Sequence, residues 1–127
     1  MNTPKARHLP WKDVRLEQLP GTIERRFVHS DEVMVAQISI KQGDAVPVHR
    51  HENEQWTYVL KGSLEFTFGD DQDEVVLVRE NEIIHIPSNL LHSAVAREDC
   101  FELDIFSPPR KDWIEGTDAY LRGGAEE

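Results

Sequence analysis

Residues 43–62 read GDAVPVHRHENEQWTYVLKG. His49 and His51 stand two residues apart, so on an extended strand both rings point to one face. Neutral imidazoles displayed together suit a transition metal. Gln55 follows four residues later with the same parity, and its amide oxygen is a neutral donor. From Gln55 to Leu60 the chain reads as a strand, and Lys61-Gly62-Ser63 then turns it.

Strand signals continue on both sides. Upstream, Val33 to Ile40 is β-branched and roughly alternating, and Lys41-Gln42-Gly43-Asp44 ends it with turn chemistry. Downstream come Leu64 to Phe68, the turn Gly69 to Asp73, and Val75 to Val78. Ile83 to Ile86 stops at Pro87, and Cys100 to Phe106 stops at Pro108-Pro109. Short strands at this spacing predict an all-β sandwich or barrel. No long segment between residues 31 and 107 has helical period. Residues 11–20 read as an irregular arm or an edge strand, and residues 110–122 as a short helix or packed tail. Gly123 to Glu127 is expected to fray.

The chain has 127 residues, the size of one domain. Fourteen basic residues against 24 acidic ones give a formal charge of −10, which argues against nucleic acid as a partner. No apolar run is long enough to span a bilayer, and Met1 to Pro10 carries no signal-peptide core. Those readings, with Cys100 as a lone buried thiol, point to the reducing cytoplasm.

A third histidine, His92, follows the turn Pro87-Ser88-Asn89-Leu90-Leu91. Gly43, His49-Arg50-His51, Gln55 and Gly62 together resemble the first signature motif of the cupin superfamily, with Gln55 where Glu is usual. Asn81 to His92 resembles the second motif. Asn81 and Asn89 stand at its usual glycine positions, where Asn tolerates positive φ better than most residues. Ala96 replaces the closing Asn. The resemblance covers residues 31–107 and implies a double-stranded β-helix (jelly-roll) barrel holding one divalent transition metal, whether Ni, Zn, Fe, Mn or Cu. The implied ligands are His49, His51, Gln55 and His92. Glu52 and Glu54 are the alternatives to Gln55, but Glu54 has the wrong parity and Glu52 adjoins His51. Four neutral donors leave the dication's charge uncompensated, which favours an anionic ligand. His8 and His29 read as surface residues, and His85 as a core or pocket-wall histidine.

On the last strand Glu102, Asp104 and Phe106 share one face, while Phe101, Leu103 and Ile105 share the other. If the first face lines the barrel, Asp104 can move protons at a bound substrate. The apolar face then needs cover from the N-terminal arm or a partner subunit. Arg110 follows the Pro-Pro corner and can hold a carboxylate through its planar fork. Gln55 with the segment Asp104-Ile105-Phe106-Ser107-Pro108-Pro109-Arg110 resembles the KdgF-like uronate ketonising cupins of pectin and alginate breakdown. That resemblance implies Asp104, Phe106 and Arg110 as functional residues. It also implies conversion of 4,5-unsaturated uronate monosaccharides to linear keto forms, and a homodimer. Polyketide-cyclase cupins, a non-enzymatic binding cupin and a cupin dioxygenase are the alternatives. The expected division is an arm over residues 1–30, a barrel over 31–107 and a helical tail over 108–127.

Overall fold

In the computed structural model, which describes residues 3–122, Met34, Ala36, Ile38 and Ile40 face inward from one strand while the residues between them are half-exposed. That alternation is the period of a strand with one face on a core. The strands are β1 (Glu17–Gln18), β2 (Glu24–His29), β3 (Met34–Ile40), β4 (Ala45–His49), β5 (Glu54–Lys61), β6 (Ser63–Phe68), β7 (Glu74–Arg79), β8 (Ile83–Ile86), β9 (His92–Ala96) and β10 (Cys100–Ser107). A helix α1 (Lys111–Glu115) and a 3-10 turn (Ala119–Leu121) complete the C-terminal tail, and a second 3-10 turn spans Trp11–Asp13. No helix among the described residues is long and apolar enough to cross a membrane.

Two antiparallel sheets form the jelly-roll barrel. One runs β1-β2-β3-β10-β5-β8 and the other β4-β9-β6-β7. Their inner faces enclose a core that includes Met34, Val59, Leu64, Phe66, Ile86 and Phe106. Each such side chain taken from water contributes about 1.5–3 kcal/mol. Register then places the polar residues. Phe106 on β10 pairs with Gln55 on β5, and Asp104 pairs with Thr57. In the other sheet His49 on β4 pairs with His92 on β9.

Turn chemistry follows the sequence closely. Asn81 and Asn89 both adopt positive φ, 67° and 65°. Gly62 is required twice over: its φ is +80°, and a Cβ there would stand 2.1 Å from the Asp99 carbonyl oxygen.

Three local readings differ. The sheet begins before residue 31, because β2 pairs with β3 from His29–Met34 to Glu24–Ser39. Glu24-Arg25-Arg26 conceals that strand, since the inward residue of the three is the fully buried Arg25 rather than an apolar one. Strand β4 ends at His49, so His51 reaches the site from the following loop rather than from the strand. His85 faces outward, beside Trp56 and 3.6 Å from Glu54 Oε2, because the alternation of β8 turns Ile86 inward instead. It is neither core nor pocket wall. The expected fraying of Gly123 to Glu127 lies outside the described residues.

Candidate metal centre and barrel cavity

The cross-strand pair His49–His92 brings two imidazoles to a centroid separation of 4.3 Å. His51 joins them from the loop, 5.4 Å from His49 and 5.0 Å from His92. One ring nitrogen from each lies within 4.8 Å of the others. All three rings are oriented alike. The Nδ1 of His49 lies 2.8 Å from the Pro47 carbonyl, that of His51 3.0 Å from Asn53, and that of His92 2.7 Å from Leu90. A backbone carbonyl accepts only from N–H, so Nδ1 carries the proton and Nε2 keeps its lone pair for a metal. Burial keeps the rings neutral. It pushes His49 down to about 2, helped by His92, and His51 down to about 3, helped by Arg110; His92 is lowered for the same first reason.

Gln55 is buried alongside, and its amide direction is set by neighbours. Nε2 donates to Thr57 Oγ1 at 2.9 Å and reaches Asp104 Oδ1 at 3.5 Å. Thr57 in turn donates to Asp104 Oδ1 at 2.6 Å. This leaves Gln55 Oε1 buried without a partner, as is His51 Nε2. Orphaned buried acceptors are rare and costly unless something fills their lone pairs. Three imidazoles and an amide oxygen therefore fit a divalent transition metal as a neutral donor set.

Glu102, Asp104 and Phe106 all face inward and are buried. Burial raises Asp104 to about 6, against the lowering effect of its Thr57 hydrogen bond. Glu102 is raised well above the carboxylate range, by burial and then by Asp104. Beyond the strand, Asn53 ties down the Pro-Pro corner by donating to the carbonyls of Pro108 (2.6 Å) and Pro109 (3.2 Å). Arg110 is thereby set inward and buried, over the rings of Trp113 (4.8 Å) and Phe106 (5.1 Å). Asp112 takes it bidentately, at 3.0 Å from Nε and 2.8 Å from Nη2, and Nη2 also donates to Tyr120 Oη at 2.7 Å. Burial lowers the Arg110 pKa, but Tyr120 and Asp112 more than offset it.

Several contributors were not singled out from the sequence. Tyr120 stacks on His49 at 4.3 Å and 17° and so covers the histidines from the tail. Thr57 shares the parity of Gln55, a signal that was available; Tyr120, 28 residues beyond His92, had none. Cys100 is buried and its thiol pushed up to about 12 by burial, an inert core residue. The interior cavity, of about 40 Å³, is bordered by His49, His92, Gln55, Asp104, Phe106 and Arg110 among others. A larger depression of about 390 Å³ lies outside, bordered by His51, Asn53, Arg110 and Tyr120.

Antiparallel double sheets, a histidine triad made by two paired strand ends and the adjoining loop, and a glycine-pinned turn define a jelly-roll metal-binding protein. Residues 36–106 match the cupin domain family, and the chain belongs to it. Among solved structures it is similar to KdgF from Halomonas sp., with 26% identity, a TM-score of 0.76, and coverage of 86% of this chain and 99% of that one. An RmlC-like cupin from Shewanella frigidimarina gives 23% identity and a TM-score of 0.76 over 85% of this chain and 96% of the other. An oxalate decarboxylase variant from Bacillus subtilis gives 23% and 0.72, over 85% of this chain but 31% of the longer one. Those last two share the fold. No curated protein matches.

Proposed function

We propose that the chain is a metal-dependent enzyme that opens and ketonises 4,5-unsaturated uronate monosaccharides. The observation that carries the reading is Asp104, buried in the barrel and linked through Thr57 to Gln55, beside three histidines with free Nε2 lone pairs. The likeness to KdgF and the small interior cavity support it. A cavity of about 40 Å³ admits a carboxylate or a few hydroxyls, and the outer depression takes the rest of a monosaccharide. The interior cavity alone is too small for a folded aromatic polyketide.

A divalent metal on His49, His51, Gln55 and His92 supplies Lewis acidity for developing negative charge on oxygen. Asp104 takes the proton of the anomeric hydroxyl as the ring C–O bond breaks and the aldehyde forms. The electron pair passes to the ring oxygen, giving an enolate at C5. Asp104 then returns the proton to C4, leaving a ketone at C5, so substrate and product are isomers. Arg110 holds the substrate at the cavity mouth, and Phe106 walls the site beside Gln55.

The test is the ultraviolet absorbance of the unsaturated uronate, which disappears as the conjugated double bond is lost. Metal-loaded protein is expected to accelerate that decay well beyond the spontaneous rate. No acceleration, with metal shown to be bound, rejects the reading.

We also propose a homodimer through the outer face of the larger sheet. Ile105, Trp56 and Ile83 expose 37%, 42% and 55% of their surface there, uncovered by the described residues. Register sets Val35, Ile105 and Trp56 in one row, an apolar patch of the kind that marks an interface. Sedimentation is expected to give twice the monomer mass, and Trp56→Glu with Ile105→Asp to give the monomer. A monomeric wild type rejects this assembly.

A further inference from the structure

Arg25 is fully buried on β2, where most strands carry an apolar residue. Its Nε donates to Glu17 Oε1 at 2.9 Å and its Nη1 to Asp118 Oδ2 at 2.8 Å. The guanidinium lies over the Trp113 ring, 4.2 Å from the centroid. Nη2 is buried with no partner, and Arg25 borders the same cavity as His49, His92, Gln55 and Asp104. An unpaired guanidinium N–H in a protein interior is costly, and folded proteins rarely tolerate one without a reason.

The surrounding charges show what kind of donor it is. Arg122 donates to Asp118 Oδ1 at 2.7 Å and to Glu17 Oε2 at 3.2 Å, so two guanidinium groups face two carboxylates and the sum is zero. Nη2 is therefore a spare directional donor, not an uncompensated charge. Arg110 is placed differently, with Nε and Nη2 already taken by Asp112 and Tyr120. Two carboxyl groups, Glu102 and Asp104, face the same cavity. Burial and then Asp104 raise Glu102 well above its ordinary value, which favours its neutral form and lessens its opposition to an incoming anion, leaving Asp104 as the acidic group the anion must be held away from.

We infer that Arg25, through Nη2, is a binding residue for a carboxylate oxygen of the ligand lodged in the barrel. A charged donor discriminates for an ionised acceptor, and the cavity has room for that group. The inference rests on the reading of this cavity as the site of a small anionic substrate, and it gives that substrate's carboxylate an interior anchor distinct from Arg110 at the mouth.

The test uses formate as the probe and calorimetry on the full, metal-loaded chain, with metal content checked for every variant. Arg25→Lys keeps a cation beside Glu17 and Asp118 but lacks the second fork nitrogen. It is expected to weaken formate binding about tenfold or more, the scale of one hydrogen bond to a charged group. Asp118→Asn disturbs the ion-pair network yet leaves Nη2 in place, and should change the affinity by less than about threefold on the same scale. Equal losses in both variants, or none in Arg25→Lys, would overturn the assignment and leave Arg25 a structural residue. A crystal of the wild-type protein grown with formate decides the matter even where Arg25→Lys fails to fold. A formate oxygen within hydrogen-bond distance of Nη2 is expected, and formate bound only elsewhere refutes the anchor. Uronate decay run in parallel separates the two proposals: no acceleration with formate on Arg25 removes the substrate and keeps the anchor.

Discussion

His49→Ala or His92→Ala, expressed and purified as the wild type, is expected to retain no stoichiometric metal by elemental analysis. The two rings are a directly paired cross-strand couple, each with Nδ1 donating to a backbone carbonyl two residues upstream, Pro47 or Leu90. Removing one therefore deletes a pre-oriented donor whose geometry nothing else can supply. Even changes to groups that merely orient a ligand cost roughly 10–100-fold in metal affinity, so loss of the ligand itself should exceed that. Gln55→Ala should weaken retention less, because an amide oxygen is a poorer donor than imidazole, but measurably. Its Oε1 is a buried acceptor whose only remaining use is outward from the Thr57–Asp104 contact. Full retention in Gln55→Ala would mean that the fourth donor lies elsewhere. The unfolding midpoint separates metal loss from misfolding, since both histidines sit at strand ends and Tyr120, stacked on His49, remains to cover the gap.

What the sequence made legible was whatever depends on parity and turn chemistry. His49, His51 and Gln55 drew attention by their shared parity, His92 joined them only through the resemblance to the second cupin motif, and Asn81 and Asn89 fitted that motif because positive φ restricts the residue type. The inward direction of Asp104 was legible only as one of two faces. Register against β3 and β5 decides it, since Asp104 lies between Ala36 and Thr57, both buried. Long-range charge was not legible at all. Arg25 reads as one more basic residue in a polar segment until β2 is paired with β3, and its partner Asp118 is 93 residues away in the chain. The same holds for Arg110. Its place after the Pro-Pro corner suggested a reach toward the barrel, but its engagement by Asp112 and Tyr120 follows from how the tail folds back. Local chemistry announces itself in sequence; compensation between distant charges does not.

Asp104→Asn is expected to keep the metal and lose most turnover. The replacement is nearly isosteric, and its Oδ1 still accepts from Thr57, so the Gln55–Thr57 arrangement that aims Oε1 is preserved. What disappears is the capacity to take a proton from one substrate atom and return it to another, a contribution of about 10²–10⁴-fold. Undiminished turnover would remove Asp104 from the reaction whatever its burial. A second readout is independent of activity. In the metal-free chain burial raises Asp104 to about 6, whereas the unfolded chain releases that proton near the ordinary value of 3.8. The folded state thus holds the proton through this window while the unfolded state loses it, so wild-type stability falls as pH rises from about 4 to about 6. Asparagine has no proton to lose. The metal-free variant should therefore unfold at a higher temperature than metal-free wild type near neutral pH, and that advantage should shrink as pH is lowered through the same window. A variant less stable than wild type at neutral pH would show instead that the ionised carboxylate is a net support for the barrel interior.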